Sequence, residues 1–591
     1  MLTAICSSTI AFAQEDFEDG TPQQVGLLGE EPVIEQIADR VLIYPQRMAL
    51  DENTTVMDLL MMFPSALSRN YEDIDDKYTV RVENLNYECD LRVFLTTLKA
   101  KYVKKIQICD NPDVMKGSRS LGGVIDINMV RGEKINDIFV GMEMDTKGQK
   151  HAPVANAVYG NGKTDVLVSA SIQDDSDVDG DYNGIARCHA KINTALNQNH
   201  NLMYDVSTHF AKGDFDNNNV SSRFYGAQVQ YDGVFNDAGT ALSVVADYEY
   251  YDDCSKLSNS MYWSKDRTSE LWQVYIVELW TPIAEGLELC AGWELDYAST
   301  KLNFESLNFN DPRSTLFLPA VTSKNDLVTY NNDFYAQFDY TVGPLSLSVG
   351  DRVMCFHYGL GDEKIDNPYN LIMGSAKLTP NWHHQIQGSY YRRFIGPDYI
   401  DIHSLVRYDE LGAPVSVGNP KLEYQPADVY RLMYTYSNKK FWTSVIGRYI
   451  DTRNAVVETE GTFDWDPITT YVNDPSSYQM TNIDASMTFQ LGALSLTAGG
   501  SYFNKTKSGD NVDYYYARLS PVLNLPGKVK INAQAIWCSD KTPEKLLTDT
   551  DVYTMLSVQK TFGDHLTFAA QWHDMFCSDL SAANFRLLYR F

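Results

Sequence analysis

The sequence predicts a membrane all-β protein. The fold expected is an antiparallel transmembrane β-barrel of about 22 strands, with a small N-terminal α/β plug domain inside its lumen. Three observations carry that reading. Helix-like periodicity is confined to the first 130 or so residues, and alternation with period two runs from there to the end. The links between the alternating segments are short and long by turns. Tyr, an amphipathic residue suited to a boundary between oil and water, occurs 38 times in 591 residues.

The first element is the extreme N-terminus, MLTAICSSTIAFAQ. A short apolar stretch ends in Ala-Phe-Ala before Gln14, which reads as a signal peptide over residues 1–13. No basic segment precedes it, which leaves the true start of the chain open. A buried strand or helix is the plainer alternative. Residues 14–34 form an acidic linker, and residues 35–131 the plug domain. In TTVMDLLMMFP, Thr55 is placed to cap a helix, with Asp58 three residues on and Pro64 ending it. YTVRVENL reads as a strand, DLRVFLTTLKA as a helix, YVKKIQIC as a strand, and SLGGVIDINM as a strand entered through Gly122 and Gly123. Cys89 and Cys109 are close enough in sequence to form a disulfide in an oxidising compartment. Two buried thiols fit equally well.

Residues 132–591 are the barrel. Apolar sets recur at every second position: Tyr225, Ala227, Val229 and Tyr231; Leu242 to Tyr250; Leu287 to Leu295; Val529 to Trp537; Leu566 to Trp572. Intervening positions are mostly Asn, Gln, Ser, Asp, Glu and Lys. Tight links such as GNGK, VGP, QLGA and FGDH alternate with longer ones at 174–181, 253–268, 300–329, 395–423, 453–476 and 539–549. A sandwich has no reason to sort its loops by parity, whereas a barrel has one rim of short turns and one of long loops. Segments of about 9–11 residues suffice to span. Trp280, Trp537 and Trp572 fall near strand ends, where an aromatic girdle is expected. Lipid covers the apolar face, and closure satisfies the backbone. So wide a lumen needs a filler, and the N-terminal domain is the right size.

Taken together, these segments make the chain resemble the TonB-dependent receptor superfamily of Gram-negative outer membranes. The likeness rests on TTVMDLLMMFPSAL, YVKKIQICDNP and SLGGVIDINM, and the plug is most similar to Bacteroidota members. The resemblance implies uptake of a scarce, bulky nutrient (siderophore, cobalamin, haem or oligosaccharide), with the TonB energy-transducing protein and a surface lipoprotein as candidate partners. A non-transporting plugged barrel that binds or anchors is the alternative. The chain departs from the family pattern at Pro64-Ser65, where Pro-Gly is usual, and at Glu83-Asn84, where Asp-Gly is common. It has no Arg-Gly pair in the intervening strand and no clear energy-coupling box.

The net charge, 49 − 78 = −29, argues against nucleic acid. No cysteine pair has zinc spacing, and nothing nominates a catalytic nucleophile, so no enzyme is expected. DDSDVDGD sets Asp175, Asp177, Asp179 and Asp181 at alternate positions. With Asp214 and Asp216 of DFDNNN they could share a structural Ca²⁺; a solvated acidic loop is the plainer reading. His383 and His384 are adjacent and face opposite ways, as do Arg392 and Arg393. Loop aromatics Trp263, Phe309, Phe317, Tyr399, Trp465 and Tyr471 can stack on a ligand or on each other. The end, NFRLLYRF, sets Phe585, Leu587, Tyr589 and Phe591 on one face, to close the barrel against the first strand, around IFVGMEM. Such a row also resembles the signal read by the barrel-insertion machinery.

Overall fold

The computed structural model describes residues 33–591 apart from 38–39, 49, 51–53, 62–77, 83–84, 87–93, 96–97, 110–122, 131–133, 146–150, 177–181, 216–217, 259–261, 309–320, 361–362, 382, 396–401, 403–405, 409–413, 439, 464–465, 508–509, 540–551, 564 and 574–581. Six short strands come first: β1 (Ile34–Ile37), β2 (Arg40–Ile43), β3 (Tyr78–Val82), β4 (Leu85–Asn86), β5 (Val103–Cys109) and β6 (Gly123–Met129). They form one sheet in the order β1-β2-β5-β6-β3-β4. Only β3 and β6 run parallel. Helix α1 (Val56–Met61) starts in a reciprocal cap. Thr55 N and Oγ1 each donate to Asp58 Oδ2 at 2.8 Å, and Asp58 N donates to Thr55 Oγ1 at 3.3 Å. Val56, Met57, Leu59 and Leu60 of this helix are buried with Ile106, Ile108, Ile125 and Ile127. Of the segment expected as a second helix, Phe94 and Leu95 are α-helical and Ala100 opens a 3-10 turn, Ala100–Tyr102.

From Lys134 onward, 22 antiparallel strands close into a barrel. Alternation decides which side chains face out. On the strand Leu345–Leu360, Leu347, Val349 and Val353 are exposed, while Arg352, Met354 and Phe356, at positions of the other parity, are buried. Exposed apolar rows of this kind girdle the whole barrel, which is the surface a bilayer covers. The last strand, Ala582–Arg590, pairs with the first, Lys134–Asp145: Phe585 lies opposite Met144, Leu587 opposite Met142 and Tyr589 opposite Val140. Phe591 N donates to Ile138 O at 2.9 Å. Tight turns use glycine where only glycine fits. Gly286 has φ +72°, and a Cβ there would stand 2.3 Å from Thr341 O.

Two features differ from expectation. Residues 253–268 and 300–329 are not simply loops, because the strands Ala241–Ser258, Tyr262–Ala284, Leu287–Asn308 and Val321–Val342 run through most of them. These strands are about twice the length needed to span. Their upper halves leave the bilayer, where the outward face turns polar: Arg267 pairs there with Asp252 at 2.8 Å. Trp280 is not a girdle residue. It shares its face with Ile276 and Glu278, points inward, and is 5% exposed beside Cys290 and Tyr335. Trp537 and Trp572 do face out.

Leu432 is 64% exposed near mid-depth of its strand, Gln425–Ser437. Leu432→Arg is therefore expected to destabilise the inserted protein by about 2–4 kcal/mol, measured by urea unfolding in vesicles. A neutral result there would mean that lipid does not cover this face.

Candidate functional site at the boundary between the inner sheet and the barrel

The N-terminal sheet sits in the lumen. Its apolar core is continuous with Leu167, Met433, Trp442, Ile446 and Met555 of the barrel wall. Polar tethers add to this contact. Lys530 near one rim forms an ion pair with Asp58, the residue that also caps α1. Lys191 Nζ donates to Val82 O at the end of β3. Gln385 Nε2 donates to Ile34 O in β1 at 3.2 Å. The contact is noncovalent at each of these places, so it can open without breaking a covalent bond.

The inward face of the wall is polar at mid-depth. Arg352 is buried and donates through Nη2 to Glu294 Oε2 at 2.6 Å and through Nε to Asp333 Oδ2 at 2.9 Å. Glu294 and Asp333 stand opposite each other on paired strands. The guanidinium lies 5.0 Å from the centre of the Tyr335 ring, and that ring crosses Gly292, where any side chain would collide with it. On other strands His189 Nε2 meets Asp205 Oδ2 at 2.5 Å. Buried charges persist only when bonded in this way.

At the mouth, two long connections join into one sheet: Val406–Tyr408, Pro414–Val417, Asp466–Asp474 and Ala455–Phe463. Asn473 fastens them, donating to Glu423 O at 2.9 Å and to Asn454 O at 3.0 Å. The first connection folds inward. Tyr424 stacks on Phe356 at 4.9 Å and bonds through its hydroxyl to that of Tyr358, with Tyr369 at 4.7 Å. The aromatics there pack on one another as a nest in the wall.

The other residues singled out from the sequence fall as follows. Asp175 pairs with Asn183 and Asp214 with Tyr182, so Asp175 and Asp214 lie at one end of the two strands that flank Tyr182–Asn197. Asp214 Oδ1 accepts from Asn219 at 3.4 Å. Asp177, Asp179, Asp181 and Asp216 lie outside the described residues, as do Gly122, Cys89, Phe309, Phe317, Tyr399 and Trp465. Among the described residues no three His, Cys, Asp or Glu side chains stand together as metal ligands. Gly123 opens β6 opposite Tyr78. Phe585, Leu587, Tyr589 and Phe591 face outward. His384 Nδ1 meets Tyr434 Oη at 2.9 Å and His383 Nδ1 meets Ser437 O at 2.8 Å, both at the tight-turn rim. Arg392 faces out and bonds Asp428, while Arg393 takes the inward position. Tyr471 belongs to the mouth sheet, and its carbonyl accepts from Asn419 at 2.7 Å. Trp263, expected in a loop, is the second residue of the strand Tyr262–Ala284. Sequence reasoning missed the Arg352 cluster and the tethers from Lys530, Lys191 and Gln385.

A sequence profile of the outer membrane protein beta-barrel family matches residues 233–586. Several solved structures share the fold. The copper transporter OprC superposes with a TM-score of 0.69 at 10% identity, over 95% of this chain and 99% of its own. The siderophore receptor PirA from Pseudomonas aeruginosa gives 0.67 at 14% identity, over 94% of this chain and 100% of its own. The alcaligin outer membrane receptor FauA from Bordetella pertussis gives 0.63 at 13% identity, over 94% of this chain and 95% of its own. No curated protein sequence matches the chain.

Proposed function

The chain belongs to the outer membrane protein beta-barrel family and resides in the outer membrane, and from that premise we propose that it takes up a scarce, bulky nutrient through its plugged lumen. The observation that carries this reading is a folded sheet lodged inside a 22-stranded barrel and held there by noncovalent tethers. A passive porin needs no such domain. An anchoring barrel needs no lumen of this width. Copper and a siderophore, named for two of the similar structures, are nutrients of this scarce kind. Cobalamin, haem and oligosaccharides complete the substrate class. Force on the plug would come from the TonB energy-transducing protein, and a surface lipoprotein would hand over cargo.

A second reading has its own observation. The core that runs from Ile106 and Leu59 into Trp442 and Met433 favours a plug that stays in place, in a barrel that only binds or anchors. Ligand-shifted stability separates the two. Purified protein in detergent is expected to gain several degrees in Tm with one cargo class at saturating concentration. No shift with any ferric siderophore, cobalamin, haem or oligosaccharide would favour the anchoring barrel.

The outward row ending at Phe591 is proposed as the insertion signal. Deleting Phe591 is expected to lower the amount of protein in the outer-membrane fraction, read by immunoblot, while protein that does insert keeps its ligand-induced shift. Undiminished membrane levels would remove this role.

A further inference from the structure

On the outward face, three neighbouring strands carry two stacked rows. The lower row is Tyr390, Tyr430 and Tyr449, directly paired across His384–Ile395, Gln425–Ser437 and Phe441–Thr452. The ring centres are 5.1 and 6.2 Å apart. Two residues further toward the loop rim comes a charged row in the same register: Arg392, Asp428 and Asp451, with Arg453 just beyond. Below the tyrosines the same face carries Leu432 and Val445, and at the opposite rim Tyr436, Phe441 and Phe489 form another aromatic row. Tyr436 and Asp428 are separated by eight residues of one strand. At about 3.3 Å per residue and a tilt near 40°, that is roughly 20 Å of height, close to the depth of the apolar band. The charged row therefore sits where the outer leaflet's head groups begin.

One carboxylate organises this row. Asp428 accepts from Arg392 Nε at 2.8 Å and Nη2 at 3.2 Å, from Arg453 Nη2 at 3.0 Å, and from Tyr390 Oη at 2.9 Å. Asp451 accepts from Arg453 Nε and Nη2, both at 3.3 Å. Both guanidiniums are thus held in fixed orientations, with Nη1 of each still available as a donor. The Arg392 and Arg453 side chains remain 35% and 54% exposed. Two fixed forks above an aromatic, lipid-covered surface match a phosphate that carries acyl chains. We propose that Arg392 and Arg453 dock the phosphate of an outer-leaflet glycolipid head group, whose chains lie along Tyr390, Tyr430, Tyr449 and Leu432. The site continues the lipid-covered belt at its loop end, which is why a lipid, and not free phosphate, is the occupant.

The test is native mass spectrometry of protein extracted from outer membranes in mild detergent. The wild type is expected to carry phosphorylated glycolipid, and R392Q/R453Q about tenfold less, the scale on which charge-assisted hydrogen bonds are lost. Arg267→Gln, which removes an outward guanidinium on another part of the wall, should keep wild-type occupancy. Delipidated protein should rebind the phosphorylated glycolipid but not its dephosphorylated form, and millimolar inorganic phosphate should not compete. Equal occupancy in wild type and double variant, equal binding of the dephosphorylated lipid, full competition by phosphate, or an equal loss in Arg267→Gln would each overturn the proposal. Folding is checked by mobility of unheated samples on gels. If the double variant does not fold, the single variants R392Q and R453Q decide by the same criteria.

Discussion

Excision of residues 33–130 is expected to turn an insulating protein into a wide, steady pore. The 22-stranded barrel closes through its own ladder, Ala582–Arg590 against Lys134–Asp145, and no strand of the inner sheet takes part in that closure. The barrel should therefore survive the loss of its filler. The cost is the exposure of Leu167, Met433, Trp442, Ile446 and Met555, the five apolar side chains of the wall that share a core with the inner sheet. A 22-stranded barrel encloses a lumen wide enough to need a plug. In a planar bilayer the intact protein should stay closed, and the excised protein should conduct at least about as well as a 16–18-stranded porin with its aqueous channel. If both conduct alike, the inner sheet is not what seals the lumen.

The second large effect concerns Arg352. Replacing it with Met leaves Glu294 and Asp333 facing each other in a buried site, with their shared cation gone. Removing one partner of a buried ion pair costs about 3–5 kcal/mol. Urea unfolding in vesicles should show a loss on that scale. Adding Glu294→Gln and Asp333→Asn to Arg352→Met should recover most of it, because the uncompensated charges are then removed. A small loss in the single variant, or no recovery in the triple, would mean that the cluster is solvated in the inserted protein.

The barrel was legible because each strand states its own two faces. Leu347, Val349 and Val353 alternate with polar or inward residues whatever their neighbours do, and the tight turns mark one rim. The first helix was legible for a similar local reason, since Thr55 and Asp58 are three residues apart and cap it between themselves. Trp280 was misread because nearness to a turn was weighed and parity with Ile276 and Glu278 was not. The upper halves of the long strands looked like loops because, above the bilayer, both faces are wet and alternation disappears, as at Asp252 and Arg267. The buried cluster was hidden for a different reason. Glu294, Asp333 and Arg352 come from three strands, and only the pairing register sets them side by side. The outward row of Arg392, Asp428 and Asp451 depends on register in the same way.

Cellular accumulation of labelled cargo tests the central claim most directly. A strain lacking this protein would be compared with the same strain carrying the intact chain, each offered ferric siderophores, cobalamin, haem and oligosaccharides at limiting concentration. A plugged transporter predicts that accumulation of one class falls on deletion and returns, saturably, with the intact chain. Accumulation of every class unchanged by deletion, with the protein present in the outer membrane of the parent strain, would contradict it.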